Sequence, residues 1–238
     1  MTARVAPART GLALTIVSCG VVAAGMLQRS TTQLQTSARK CRLQTNVTLQ
    51  LPLLSRLRTE TRDRHDAIEQ TLLLMDDDLT LEAYKCRLEQ FLGFYKPLEE
   101  RLLDGRGPLA PWLDVQARRK TPLLEADVTA LGQDAARLPV CTTLPSLASA
   151  AACFGCLYVL EGATLGGVII SGHVGQKLGI SPAAGGAFFD GYGEQTGAMW
   201  QQFRTAISAF SRQSEAQDAV VASARATFEA LQHWCEGR

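Results

Sequence analysis

Two groups of residues in this chain have types and spacings that could do chemistry. The first is a single histidine on an apolar helical stripe, whose members recur at spacings of three and four: Leu57, Thr61, His65, Ile68 and Leu72. An imidazole in such a position is either a core residue or a ligand held out to a bound group. Glu69, one helical turn after His65, could hold the second ring nitrogen directly or through water, which would fix the tautomer of a ligand.

The second group is a run of small residues within an apolar helix, Tyr158-Val-Leu-Glu-Gly162-Ala-Thr-Leu-Gly166-Gly167. Glycine in a helix interior is about 1 kcal/mol less favourable than alanine, so the run needs a compensating role. Gly162 and Gly166 are four residues apart and therefore share one helix face. A bare backbone lets another body approach closely. Either a second helix packs against this face or a flat ligand does.

An imidazole on one helix and a bare backbone on another suit a haem held between them. A neutral histidine is a common axial ligand of haem iron, and a close backbone wall on the other side would bend bound dioxygen toward the edge of the ring. The expected cofactor is haem b with its iron, and the expected metal ligand is His65. Tyr158 is the nearest polar side chain on the second helix, with a half-buried core tyrosine as the alternative interpretation.

Helical periodicity dominates the chain from about residue 50, without strand-like alternation of any length. The pattern predicts an all-α fold with helices over the following ranges: Leu54–Met75, Leu81–Leu102 with a bend near Pro97, 121–131, 146–179, Met199–Ser211 and Asp218–Trp234. A loop at 105–111 and a Gly/Pro region at 179–193 separate some of them. We therefore expect one helical domain over residues 51–238, preceded by an extension over residues 1–50.

The charge of the chain is unevenly distributed. Residues 1–59 carry eight Lys or Arg and no Asp or Glu, whereas the rest carries sixteen basic and twenty-three acidic residues. The acidic body argues against nucleic-acid binding, which requires a basic face. Residues 11–27 form an uncharged apolar run, as in a signal peptide or a short membrane anchor. An organelle transit peptide or a disordered extension is the alternative interpretation of this N-terminal part. The expected location is cytoplasmic, with export or membrane tethering through residues 11–27 as the alternative.

The cysteines and the remaining histidines favour no second kind of site. The seven cysteines are odd in number and lack the spacing of a disulfide framework, which suits a reducing compartment. The pair Cys153-x-x-Cys156 is interpreted as two small buried residues. A di-iron centre would need Glu-x-x-His pairs, which this chain lacks. His173 is expected at the surface or at a helix contact, with the rim of the pocket as the alternative, and His233 lies near the C-terminus.

Three segments of the chain resemble the haem oxygenase family. The segment Leu57-Arg-Thr-Glu-Thr-Arg-Asp-Arg-His65-Asp-Ala-Ile-Glu69 looks like the proximal helix of these enzymes, and the glycine run around Gly162 resembles their distal helix. The stretches 188–193 and 196–204 are similar to the bacterial branch associated with bacteriophytochromes. The resemblance covers roughly residues 52–235. It implies a single-domain multi-helix bundle with haem between a proximal and a distal helix.

The resemblance implies a monooxygenase that cleaves haem at a meso carbon to biliverdin, carbon monoxide and ferrous iron, with haem as both cofactor and substrate. His65 falls on the proximal ligand, and Gly162 and Gly166 fall on the distal glycines that contact the haem. Arg58 and Arg204 fall where the family has basic residues near the haem propionates, and a guanidinium can bind such a carboxylate through paired hydrogen bonds. A solvated helix face is the alternative interpretation for both arginines.

One position departs from the family pattern. Mammalian members carry an aspartate directly after the first distal glycine, where it organises the water that delivers a proton, whereas this chain has Ala163. Many bacterial relatives also lack the acid, which implies proton delivery through water. The departure leaves a non-catalytic haem-binding or carrier protein of the same fold as the alternative function.

The electrons for such a reaction must come from another protein. No Gly-x-Gly-x-x-Gly follows a strand in this chain, so nothing in it is typical of a nicotinamide or flavin site. The expected donor is a ferredoxin or an NADPH-dependent reductase, and a bacteriophytochrome could receive the biliverdin.

Overall fold

The computed structural model describes residues 52–104, 109–213 and 215–237. The predicted extension over residues 1–50, with its apolar run, lies outside the described residues. The helices are α1 (Leu53–Glu60), α2 (Arg62–Leu72), α3 (Leu81–Leu103), α4 (Thr121–Ala130), α5 (Ala150–Leu178), α6 (Ala187–Asp190), α7 (Thr196–Gln213) and α8 (Gln217–Glu236). Within the described ranges there is no β-strand, so the predicted all-α fold is confirmed.

The prediction of one continuous first helix over Leu54–Met75 is wrong, because the chain breaks it at Thr61. That residue has φ −117° and ψ 3°, and its hydroxyl donates a hydrogen bond of 2.7 Å to the carbonyl of Leu57. Thr227 forms the same kind of bond within the continuous helix α8, so the break is defined by the backbone angles of Thr61. The second part then ends before Met75, since Leu73 adopts the left-handed conformation with φ 52°.

The other predicted helices are present with shifted ends. The long helix α5 begins at Ala150 rather than at residue 146, where the side chain of Ser149 accepts a hydrogen bond of 3.1 Å from the backbone N–H of Ala152. This cap satisfies one of the unpaired donors of the first turn. Helix α3 continues through Pro97, and the bend there stays a prediction. The Gly/Pro region at 179–193 contains the short helix α6.

Helix α5 lies in the core, and two of its glycines allow neighbouring elements to pack closely. A Cβ on Gly155 would collide with the carbonyl oxygen of Val220 in α8, and one on Gly167 would lie 2.6 Å from the carbonyl oxygen of Phe189 in α6. Among the described helices, α5 alone is long and apolar enough to cross a membrane, but 56% of its most apolar window is buried inside the protein. Its apolar character therefore fits a core helix.

Candidate functional site

Contacts join the two ends of α2 to α5 at two points, and we call the space between these points the cleft; the first point is Tyr158. Burial raises the pKa of the Tyr158 phenol, while the side chain of Thr61 and the charge of Arg58 act in the opposite direction, so both side chains lie beside it. The ring of Trp200 in α7 lies 6.3 Å from the Tyr158 ring, centroid to centroid. Residues from α1, from the α1–α2 junction and from α7 therefore meet α5 at this tyrosine.

The other end of the cleft is closed by the loop that follows α2. The Nε2 atom of His173 lies 3.2 Å from the carbonyl oxygen of Asp76, and Nζ of Lys177 lies 3.0 Å from Oδ1 of Asp77. The prediction of a surface or helix-contact role for His173 is confirmed. At a rise of 1.5 Å per residue, Tyr158 and His173 are about 22 Å apart along α5. The cleft is thus framed at both ends and extends over several helical turns.

Between these ends α5 presents a bare backbone at Gly162 and Gly166, which we call the glycine surface. A Cβ built on either residue would have no heavy atom within 4 Å. Gly155 and Gly167, by contrast, serve helix packing, as described above. Helix packing therefore explains Gly155 and Gly167. Among the described residues it does not explain Gly162 and Gly166, where the flat-ligand interpretation stays a prediction.

Large apolar side chains are exposed on α5 and just beyond the end of α2. On α5 these are Leu165, Val168 and Ile169, of which Val168 has 55% of its surface exposed, and beyond the end of α2 they are Leu73 and Met75. Exposed apolar patches of this kind mark binding surfaces, and ligand clefts are lined mainly by apolar side chains. The cleft is chemically suited to a flat apolar group.

His65 lies on α2 between the two closed ends of the cleft. Its side chain is 39% exposed, which rules out the core-residue interpretation, and its ring meets the Phe228 ring edge-on at 6.0 Å. Nδ1 of His65 lies 3.7 Å from Oε1 of Glu69 and 3.9 Å from Oδ1 of Asp66. These distances exceed a direct hydrogen bond, so of the two predicted arrangements for Glu69 a bridging water fits better. With Nδ1 facing two acids, Nε2 is the ring atom left for a ligand bond.

The same three side chains bring one imidazole nitrogen and two carboxylates within 4.8 Å of one another. Both acids are exposed and all three residues lie within two turns of a single helix. Such an arrangement orients the imidazole more effectively than it would enclose an ion, since structural metal sites take ligands from several directions.

Of the two sequence-predicted arginines, Arg58 lies beside Tyr158, and Arg204 lies on the helix whose Trp200 contacts Tyr158. Arg58 is exposed on α1 and its charge reaches the Tyr158 phenol. Arg204 is exposed on α7, one turn after Trp200, and donates a long hydrogen bond of 3.4 Å to Gln201. Within the described part of the chain neither guanidinium forms an ion pair, whereas Arg56 and Arg64 are paired with acids. Both arginines are therefore available to a carboxylate.

A buried ionic cluster beside the glycine surface was missed by the sequence reasoning. Its members are Glu99, Arg118, Lys120, Glu161 and Tyr192, which we call the Glu161 cluster. Nη1 of Arg118 donates to Oε2 of Glu161, and the Tyr192 hydroxyl donates to Oε1 of Glu161 at 2.7 Å. Burial lowers the pKa of Lys120 to about 8, against the attraction of the two glutamates. The available signal was Glu161 itself, the one acid in the apolar sequence of α5, since a buried charge requires a partner.

The interpretation of Cys153 and Cys156 as small buried residues is confirmed. Both thiols are buried and neither forms a disulfide. Burial raises the pKa of each thiol, which keeps both protonated and unreactive at neutral pH.

Comparison with known proteins identifies relatives for nearly all of the described region. The family model described as Heme oxygenase matches residues 51–237. A heme oxygenase from Xanthomonas campestris pv. campestris (strain 8004) is 33% identical over 156 residues, which cover 65% of this chain and 87% of the relative. Among solved structures, the NO- and CO-bound heme oxygenase from Neisseria meningitidis covers 79% of this chain and 92% of its own, with a TM-score of 0.68 and 19% identity. Heme oxygenase from Leptospira interrogans covers 79% of this chain and 100% of its own, with a TM-score of 0.65 and 18% identity. At such identities the two structures show a likeness of fold.

Proposed function

The chain belongs to the haem oxygenase family, and from this premise we propose that it cleaves haem at one meso carbon to biliverdin, carbon monoxide and ferrous iron, consuming dioxygen and external electrons. The observation that carries the proposal is the framed cleft. Between its closed ends α2 carries His65, and α5 carries Gly162 and Gly166 with open space in front of the backbone. An imidazole and a bare helix face suit a flat macrocycle that needs a ligand on one side and little bulk on the other.

The residues around the cleft fit haem as substrate and cofactor. His65 would hold the iron through Nε2, while Glu69 orients the ring through water. The exposed apolar side chains of α5 would cover the macrocycle. Arg58 and Arg204, which have no ion pair among the described residues, would bind the propionates. When bound, haem supplies the iron centre at which dioxygen is reduced.

On the α5 side, the residues of this chain supply space, shielding and a proton. The glycine surface keeps side chains away from the reacting edge, and Leu165, Val168 and Ile169 exclude water from the macrocycle. Ala163 is exposed and carries no acid. Tyr158, one turn before Gly162, holds a proton at Oη at neutral pH because burial raises its pKa. We assign to Tyr158 the anchoring of water that moves protons toward the cleft.

The partners follow from the same proposal. The electron donor is a ferredoxin or an NADPH-dependent reductase, and biliverdin would pass to a bacteriophytochrome if the chain acts in the branch that its segments 188–193 and 196–204 resemble. The buried, unbridged Cys153 and Cys156 suit a reducing compartment, so we propose a cytoplasmic location for the helical domain over residues 51–238.

A single-turnover experiment tests the proposed function. The protein is loaded with haem without oxygen, then mixed with dioxygen and a reductase system, and followed by absorption spectroscopy. Oxygenase activity predicts loss of the Soret band, growth of biliverdin absorbance and release of one carbon monoxide per haem. A Soret band that persists in the presence of reductant and oxygen would instead identify a haem carrier.

A further inference from the structure

The Glu161 cluster fastens the helix that carries the glycine surface to the elements behind it. The side chains of Glu161 and Arg118 are each 2% exposed, and Nζ of Lys120 lies 3.8 Å from Oε1 of Glu161. Glu161 immediately precedes Gly162, so one helical turn has a charged anchor on its inner face and bare backbone on its outer face.

The backbone of this turn has little rigidity of its own. Gly162, Gly166 and Gly167 lower the helix propensity of the segment. The hydroxyl of Thr164 donates a hydrogen bond of 2.6 Å to the carbonyl of Glu161, a local bond that competes with regular helical pairing. The position of the glycine surface must therefore be set by side-chain anchors, and Glu161 is the anchor nearest to it.

Arg118 connects this anchor to α7. Besides its ion pair with Glu161, it donates from both Nη1 and Nη2 to the carbonyl of Met199, at 3.2 Å each. Met199 belongs to the first turns of α7, which also carry Trp200 against Tyr158 and, one turn later, Arg204. A single guanidinium thus couples the helix of the glycine surface to the helix of Arg204.

Glu99 holds the opposite side of the cluster. Its carboxylate accepts hydrogen bonds from the backbone N–H groups of Lys120 and Thr121, at 2.6 and 3.1 Å, and one of 2.6 Å from the Thr121 hydroxyl. Glu99 therefore fixes the segment that carries Arg118 and Lys120 onto α3. The resulting chain of contacts leads from α3 through residues 118–121 to α5 and α7.

We propose that Glu161 and Arg118 are positioning residues that set the glycine surface relative to α7, and thereby decide how haem is rotated in the cleft and which meso carbon is cut. The inference rests on the proposed function. Neither residue touches the substrate, because both side chains are buried on the inner side of α5, away from the glycine surface. Their effect reaches the reaction through the distance between the bare backbone, which limits one face of the macrocycle, and the α7 arginine, which would hold a propionate.

The test compares Glu161→Gln and Arg118→Lys with the matched control Glu125→Gln, which removes a charge from the half-exposed ion pair between Lys96 of α3 and Glu125 of α4. Each protein is loaded with haem, and the proton NMR spectrum of the cyanide complex is recorded, because the haem methyl shifts report how the macrocycle is seated. The biliverdin isomers formed on turnover are then separated by chromatography. We expect shifted methyl resonances and a second isomer for both cluster variants, and neither change for Glu125→Gln.

Wild-type methyl shifts and a wild-type isomer pattern in folded Glu161→Gln would overturn the inference. If that variant does not fold, Tyr192→Phe decides the matter, because it removes one hydrogen bond to Glu161 and leaves the ion pair in place; unchanged methyl shifts in that variant would also overturn it. Failure of the proposed function is distinguishable, because the haem complex would then form no biliverdin. Its haem methyl shifts could still be recorded, and they would decide the positioning role separately.

Discussion

The Nδ1 atom of His65 lies 3.7 Å from the Oε1 atom of Glu69, one helical turn further along α2. A carboxylate on the far nitrogen of a ligating imidazole fixes its tautomer and raises its basicity, and loss of such a partner weakens ligation about 10–100-fold. We predict a weakening of haem affinity within that range for Glu69→Ala, measured by Soret titration. Glu82→Ala, which removes an exposed acid of α3, is the control and should bind haem as wild type does. Equal affinities for the two variants would contradict a role for Glu69.

An alanine in place of glycine should have opposite effects on the stability of the protein at different positions of α5. Gly162→Ala should stabilise the haem-free protein by about 1 kcal/mol, since alanine favours the helix and the new methyl group meets no described atom. The same methyl group faces the bound macrocycle, so turnover should fall. Thermal unfolding and single-turnover rates measure the two effects.

Two further variants serve as controls for this substitution. Gly172→Ala also faces open space and should gain similar stability with unchanged turnover. Gly155→Ala should destabilise the protein, because its methyl group would overlap the carbonyl of Val220. A stabilised Gly162→Ala with full turnover would contradict the assignment of the glycine surface.

Removal of Arg58 or Arg204, which form no ion pair with another described residue, should lower the affinity for haem through loss of contacts with its propionates. Arg58→Ala and Arg204→Ala should each weaken haem binding, and the loss should shrink for the dimethyl ester of haem, which lacks the carboxylates. Because both residues are exposed, each loss should stay within about tenfold and decrease with salt. Arg137→Ala, an exposed arginine paired with Asp134, is the control. An equal loss for haem and its ester would assign the arginines to a solvated face instead.

The buried Lys120 should make the free energy of unfolding depend on pH. Burial lowers its pKa to about 8 in the folded protein, where it faces Glu99, Glu161, Arg118 and the Tyr192 ring; in the unfolded chain the ordinary value near 10.5 applies. Between these values the unfolded state binds more protons, so the free energy of unfolding rises with pH. Below pH 8 both states hold the proton and the dependence disappears.

The comparison with Lys120→Met isolates this contribution, since other titrating groups affect both proteins alike. The free energy of unfolding of wild type, minus that of the variant, should increase from about pH 8 to about pH 9.5 and stay level below pH 7.5. Denaturant unfolding at a series of pH values measures it. If the difference between the two free energies of unfolding stays constant over the whole pH range, Lys120 does not cause the pH dependence of stability.

Much of the fold could be predicted from the sequence because helical periodicity is a local signal. The apolar spacing in α3 and α8 placed those helices to within about two residues of their observed ends. The break at Thr61 was not predictable from that spacing, because the stripe continues through it and the interruption lies in the backbone angles of Thr61. Periodicity gives the face of a helix and says little about local backbone bonding.

The candidate site was predictable to the extent that it depends on unusual residue types. His65, Gly162 and Gly166 stand out in their surroundings, and they lie on α2 and α5, the two helices that bound the cleft. The division between packing glycines and open glycines needed the neighbours Val220 and Phe189, which are distant in sequence. The Glu161 cluster was missed for the same reason, since its five members come from four separate segments of the chain.

The most direct test of the central claim is a haem titration of wild type and His65→Ala, with His233→Ala, which changes an exposed histidine of α8, as the control. The claim predicts that wild type and His233→Ala give the spectrum of a histidine-ligated haem, and that His65→Ala loses this axial signature and regains it when imidazole is added. An unchanged spectrum for His65→Ala would show that the iron is held elsewhere, and the cleft between α2 and α5 would no longer be the haem site.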